Sequence, residues 1–187
     1  MTSSDEHAVV VRAQAGDRSA VGELYSAYHD EVFRYLYYQV GDHHTAEDLA
    51  AEVFERMIRA LPRYEEQGVR FQAWLFRIAR NAAVDYFRKT NMRKLITFDE
   101  SWHASEASPE TRAEQMLTSD KLVEALQKLR KNQRDVIILR FIVEMPIAEV
   151  GRVMGKPENA IKGLQRRALI ALRDLLVDWN GTYDEAG

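Results

Sequence analysis

Residues 145–177 run Met-Pro-Ile-Ala-Glu-Val-Gly-Arg-Val-Met-Gly-Lys-Pro-Glu-Asn-Ala-Ile-Lys-Gly-Leu-Gln-Arg-Arg-Ala-Leu-Ile-Ala-Leu-Arg-Asp-Leu-Leu-Val. They divide into two helices joined by a tight turn, the second much longer. Pro146 suits the first turn of the first helix, where its missing N–H leaves no bond unmade. Gly155 stands where that helix must stop, because glycine takes a positive φ without strain. Pro157 then opens the next helix, and Gly151 is expected to let the second helix cross the first closely. Ile147, Val150 and Met154 face inward from the first helix. Ile161, Leu164, Ala168, Leu172 and Leu175 form the apolar stripe of the second. This combination describes a helix-turn-helix. Its outer face offers Asn159, Lys162, Gln165 and Arg166, which are cations for phosphates and amides for base edges. From this stretch alone, a helical hairpin with a solvated basic face stays open as the alternative.

The net charge of −3 over 187 residues does not by itself point to nucleic acid. Its distribution does. Residues 77–94 and residues 152–173 each carry a net +5, and residues 42–55 carry −5. The average therefore conceals two basic patches and one acidic one. Hydrophobic residues at 46% are enough for real cores, with room for one domain or two small ones. The absence of cysteine excludes disulfides, thiolate zinc sites and a thiol switch, and fits a cytoplasmic location. Met1 to Glu6 is polar and no apolar run approaches membrane-spanning length, so neither a signal peptide nor membrane insertion is expected.

Outward from the helix-turn-helix, the chain is expected to be helical throughout. A short helix over 5–15 is closed by Gly16. Asp17 caps a long helix through about Val40, whose Leu24, Tyr28, Val32 and Leu36 face a core. Thr45-x-x-Asp48 carries a capping signature for a helix over about 45–61. On it Asp48, Glu52 and Glu55 share a face with no cation among them, which fits either a basic partner or plain solvent. Pro62 breaks that helix, and Arg63 to Arg70 form a polar loop. A helix from Phe71 to Lys89 follows, with Trp74, Ile78 and Ala82 on one side and Arg77, Arg80, Asn81, Arg88 and Lys89 on others. A basic helix opened by aromatic residues meets the needs of single-strand binding, with Phe71 and Tyr86 as stacking candidates and Trp74 as core. Residues 91–118 change character to a linker without periodicity. Its 28 residues span at most ~90 Å when extended, more than two turns of B-DNA at ~34 Å each. A helix over 119–129 precedes one capped by Asn132, and Val136 to Ile142 are apolar nearly all round, so that helix should be buried.

Enzyme signals are weak. His44 and Asp48 share the spacing of a metal pair, but two ligands on one helix are little support. Glu100 and His103 form a lone Glu-x-x-His in the linker. Gly151-x-x-x-Gly155-Lys156-Pro157 is one residue short of a phosphate loop and lacks its Ser or Thr. No catalytic residue, metal site or cofactor is assigned.

Three motifs, in order, resemble those of bacterial extracytoplasmic-function (ECF) RNA polymerase sigma factors, over about 8–90 and 119–177. Ala46-Glu-Asp-Leu-Ala-Ala-Glu-Val-Phe resembles the helix that grips the coiled coil of the polymerase β′ clamp. Phe71 to Lys89 resembles the helix that reads the −10 element, and residues 133–173 resemble the domain that reads the −35 element. The resemblance implies an all-α protein of two small helical domains joined by a flexible linker. The boundaries expected are 1–90 for polymerase and −10 binding, 91–118 for the linker, 119–178 for the helix-turn-helix domain and 179–187 for a tail. It implies an alternative sigma factor that binds core RNA polymerase (β′ clamp and β subunit) and directs initiation at promoter DNA, with an anti-sigma factor as a further partner. Carried residue by residue, polymerase binding falls to Asp48, Leu49, Glu52, Phe54 and Glu55. Contact with −10 DNA falls to Arg63, Phe71, Arg77, Arg80, Asn81, Arg88 and Lys89, and the loop 61–71 matches the segment that captures a flipped base. Contact with −35 DNA falls to Lys156, Glu158, Asn159, Lys162, Gln165 and Arg166. Two departures stand out. Ala51 replaces the usual Gln of the clamp motif. Asn159-Ala-Ile-Lys-Gly-Leu-Gln165 replaces a common Gly-Thr-Val-Lys-Ser-Arg-Leu, so −35 preference does not transfer. The alternatives are a stand-alone helix-turn-helix regulator and a helical protein that binds polymerase without initiating.

Overall fold

The structure, a computed structural model, describes residues 3–66, 68–96 and 113–181. Among these residues there are helices and no strands. Helix α1 (Ser3–Gln14) ends before Gly16, whose φ of 91° lets the chain reverse. Helix α2 (Arg18–Val40) starts at Asp17, whose carboxylate accepts from the Ser19 and Ala20 N–H groups. It ends at Gly41, left-handed at φ 79°, whose N–H donates to the Tyr37 carbonyl.

Helix α3 (His43–Ala60) begins two residues earlier than its Thr45-x-x-Asp48 signature implies. The cap is Asp42, whose Oδ2 accepts the Thr45 N–H at 2.8 Å. Hydrogen bonds from the Thr45 side chain, then from its backbone N–H, hold the Asp42 carboxyl below its ordinary value. Asp42→Ala should therefore lower unfolding stability by about 1 kcal/mol at neutral pH. A depressed carboxylate stabilises the fold above its unfolded pKa, and that contribution disappears as pH falls through the folded value. The gap between variant and wild type, measured by urea unfolding, should accordingly close in acid. A gap that stays constant with pH would contradict the cap.

Leu61–Arg63 form one 3-10 turn around Pro62. Helix α4 (Phe71–Ile96) continues past Lys89 into the expected linker, and α5 starts earlier than expected (Ala113–Lys128). The centre of that linker, 97–112, and the tail from 182 lie outside the described residues. Helix α6 (Lys131–Ile137) is capped at Arg130, not Asn132, with the Gln133 side chain accepting the Arg130 N–H at 3.3 Å. It runs on as a π-helical turn (Ile138–Ile142), after which Glu144 takes a positive φ of 59°. The wider π turn rotates Phe141 out to 46% exposure, so this apolar segment is not buried all round. Helices α7 (Ile147–Met154) and α8 (Glu158–Gly181) complete the helix-turn-helix around Gly155, left-handed at φ 62°.

Gly151 is needed for a reason other than helix crossing. A Cβ there would sit 2.7 Å from the Lys156 carbonyl oxygen, so the turn itself folds back onto α7. The nearest atom of α8, Ile161 Cγ1, is 3.9 Å away.

Helices α1–α4 enclose Leu24, Tyr35, Leu36, Met57, Leu75 and Phe76, with the Tyr35 and Phe76 rings edge to face at 5.6 Å. Helices α5–α8 enclose Leu126, Ile138, Leu139, Met145, Val150 and Ile161. The two groups meet where α4 packs on α7 and where the end of α2 docks onto the α5–α6 corner. A Cβ on Gly41 would be 3.3 Å from Val123 Cγ1. Three of the buried polar side chains, Gln39, Arg134 and Asp135, lie at this junction.

Candidate polymerase and nucleic-acid interfaces

Helix α3 turns Ala46, Leu49, Ala50, Val53, Phe54 and Met57 into the core. That fixes its opposite face outward. Asp48 and Glu55 are exposed and Glu52 is half-buried. The carboxylates are not without cations, as the 42–55 window implied. Arg56 donates to Glu52 at 2.5 Å and to Asp85 of α4 at 3.4 Å, and Arg59 donates to Glu55. Both arginines lie one helical turn onward, just past the acidic window. Asp48 is thus the exposed acid of this face outside those pairs. Leu49 and Phe54, carried over as polymerase contacts, are 6% and 4% exposed. They set the position of the face and do not present themselves on it. Beside it, the Tyr25 ring lies 4.7 Å from Phe54. His43 and His44 both turn to Glu47, at 3.4 and 3.9 Å, and no three metal-ligating side chains converge among the described residues.

On α4, Arg77, Asn81 and Arg88 are exposed. Their spacing of four and seven residues brings them to one stripe of the helix. Lys89 and Arg63 are exposed as well, and Arg88 lies 3.3 Å from Asp85. Two expected contacts are placed differently. Phe71 is 1% exposed, wedged between Tyr28, Tyr64 and Trp74, so it supports the loop and offers no face for a base. Arg80 donates through Nε to Asp135 at 2.8 Å and does not reach solvent freely.

The loop between the 3-10 turn and α4 is held open by named bonds. Gln14 Nε2 donates to the carbonyls of Leu61 and Tyr64, at 3.0 and 2.6 Å. The Tyr64 hydroxyl donates to the Val69 carbonyl at 3.0 Å, and burial pushes that phenol up. The loop borders a cleft of about 420 Å³ lined by Glu66, Gly68, Val69 and Arg70 on one side and by Glu149 and Arg152 of α7 on the other.

On the helix-turn-helix, Lys156, Glu158, Asn159, Lys162 and Arg166 are exposed at the start of α8. Asn159, Lys162 and Arg166 follow one another at three and four residues, a single outward stripe. Gln165 differs, being half-buried with its Oε1 turned into the protein and without a hydrogen-bond partner. A Cβ added at Gly163 would meet the Arg167 side chain, with Nη1 at 3.4 Å.

The family models match this geometry half by half. Sigma-70 region 2 matches residues 24–93, which hold α3, the loop and the exposed stripe of α4. Sigma-70, region 4 matches residues 125–174, which hold the helix-turn-helix. The sigma factor SigD of Mycobacterium tuberculosis is 34% identical over 177 residues, 91% of this chain and 83% of the relative. The chain belongs to the ECF family of RNA polymerase sigma factors. Another member, BldN of Streptomyces coelicolor, is 44% identical over 172 residues, and the match spans 91% of this chain but 65% of that relative's length. Among solved structures, CnrH in complex with the cytosolic domain of CnrY has the same fold at a TM-score of 0.73 and 24% identity, covering 92% of this chain and 97% of the other. RpoE of Bartonella quintana, solved with the anti-sigma factor NepR, has it at 0.68 and 23%, covering 83% and 95%.

Reading residues in sequence missed the polar junction altogether. Gln39, Gln127 and the Arg134-Asp135 pair lie on three different helices, and no spacing rule joins positions about 95 residues apart. A weak signal existed: Arg134-Asp135 are charged residues opening a segment that, to Ile142, is otherwise apolar but for Arg140.

Proposed function

We propose that this ECF family member is an alternative sigma factor that binds core RNA polymerase, directs it to −10/−35 promoters and helps open them. The observation that carries this is one of placement. The acidic face of α3, the Arg77–Asn81–Arg88 stripe of α4 and the Asn159–Lys162–Arg166 stripe of α8 are all exposed on helices whose other faces are core. A stand-alone regulator has no use for the first two.

In this proposal Asp48 leads the contact with the β′ clamp. Arg77, Asn81, Arg88, Lys89 and Arg63 hold the melted −10 strand, with the 64–70 loop receiving a base. Lys156, Asn159, Lys162 and Arg166 hold −35 duplex, and Glu158 at the helix start faces the same groove. The domain limits proposed are those of the sequence, with α4 and α5 reaching into the linker. The chain acts without a reaction of its own, in the cytoplasm with polymerase, and an anti-sigma factor holds it inactive, as its family implies.

Co-elution of the purified chain with core polymerase tests the proposal, and absence of a complex would sink it. Arg166→Ala gives a finer check. Losing one phosphate contact should weaken −35 duplex binding and lower the slope of log K against log salt by ~0.9. An unchanged slope would remove Arg166 from the DNA face.

A further inference from the structure

The end of α2 is closed over by the other half of the molecule. The last carbonyls of a helix lack intrahelical donors and carry its negative dipole end. Here they receive donors from α5 and α6. Arg134 Nη1 donates to the Gln39 carbonyl at 2.8 Å, and Gln127 Nε2 donates to the Tyr38 and Gln39 carbonyls at 3.1 and 3.0 Å. The Arg134 guanidinium also lies 5.6 Å above the Phe87 ring of α4.

Beside it, the Asp135 side chain is 2% exposed. Its partners come from the other half. Gln39 Nε2 donates to Oδ1 at 2.6 Å, the Tyr35 hydroxyl to Oδ1 at 3.3 Å and Arg80 Nε to Oδ2 at 2.8 Å. Arg80 further lies 3.4 Å from Asn132 Oδ1. A buried carboxylate met by a cation and two neutral donors is fully satisfied, so this junction is built rather than incidental.

We propose that Asp135 is an intramolecular latch: it holds the helix-turn-helix half against the α2–α4 bundle in the free chain and withholds Arg80 from −10 DNA until polymerase separates the halves. Closure also places Glu149 and Arg152 of α7 across the 64–70 loop, on the side the loop leaves open. The latch thus engages two parts of the proposed −10 surface with one movement. This consequence for DNA rests on the sigma reading; the latch itself does not.

The chain has no cysteine, so Val11→Cys on α1 and Leu169→Cys on α8, both exposed, accept a donor and acceptor dye uniquely. The free labelled chain should show one dominant high-transfer population. Asp135→Asn removes the charge that holds Arg80 but keeps the shape, and Gln39→Leu removes a donor from the opposite half. Each should raise the ratio of low- to high-transfer molecules by roughly ten- to a hundredfold. Circular dichroism distinguishes opening from unfolding, and a variant that unfolds leaves the other to decide. A free wild-type chain already in low transfer, or an unchanged ratio in the folded variants, would overturn the latch. Adding core polymerase is the separate arm. Co-elution without loss of transfer would also overturn the latch, whereas failure to co-elute would count against the proposed function and leave the free-chain result standing.

Discussion

Asp48→Arg is expected to weaken association with core RNA polymerase by roughly a hundredfold or more, with far-UV circular dichroism and melting temperature unchanged. Asp48 sits on the outer face of α3, exposed, while Leu49 and Val53 beside it anchor the helix in the core. Reversing its charge puts a cation against the basic clamp that the proposal assigns to this face, adding repulsion to a lost attraction. Glu52 is the poorer place to make that change. It is bound to Arg56, which also reaches Asp85 of α4, so Glu52→Arg confronts a cation within the fold and mixes loss of binding with loss of structure. Glu55 is tied to Arg59 in the same way. The single change at Asp48 isolates the interface. Titration of dye-labelled protein against core polymerase measures it, and retained affinity would refute the clamp assignment.

Arg134→Met is expected to be the most destabilising single change at the junction, by about 3 kcal/mol or more. Arg134 is 8% exposed, and its guanidinium donates to the carbonyls of Leu126, Gln127 and Gln39 and to the Gln127 side chain, at 2.7 to 2.9 Å. Burial lowers its pKa, and Asp135 and the Tyr35 phenol oppose that lowering. Methionine fills much of the space and makes none of the bonds, so the Leu126, Gln127 and Gln39 carbonyls lose the guanidinium, and Gln39 and Leu126 are left with Gln127 Nε2 and the Leu129 N–H. Within α5–α6 those bonds turn the corner between the helices. Across to α2 they join the halves. Urea unfolding should therefore show a lower midpoint for the whole chain. A loss below about 1 kcal/mol would mean that water replaces the guanidinium and that the junction is not dry.

The elements visible in the sequence were those specified locally. Asp17, Gly41 and Gly155 each act within one turn of a helix end, and the structure shows each doing what its chemistry predicts. Errors arose where two local signals competed. Asp42 outdid Thr45 as a cap because its carboxylate accepts the Thr45 N–H. The apolar run from Val136 to Ile142 points to burial all round, whereas the segment forms a π turn and Phe141 is exposed. The candidate site divides in the same way. Exposed charges at helical spacing, such as Arg77 and Arg88 or Lys162 and Arg166, are read from the chain directly. Phe71 and Arg80 are not, because their surroundings come from distant segments: Tyr28 and Tyr64 for the ring, Asp135 for the guanidinium. An arginine on a basic helix looks the same in sequence whether it faces DNA or a buried carboxylate.

Run-off transcription tests the central claim most directly. Core RNA polymerase is combined with the purified chain and a template carrying the DNA upstream of its own gene. A discrete transcript that depends on the added chain, and that is lost with Asp48→Arg, is the result expected of a promoter-specificity subunit. A stable complex with core that yields no transcript from that template or from any other genomic fragment would contradict it, and would identify a protein that holds polymerase without starting transcription.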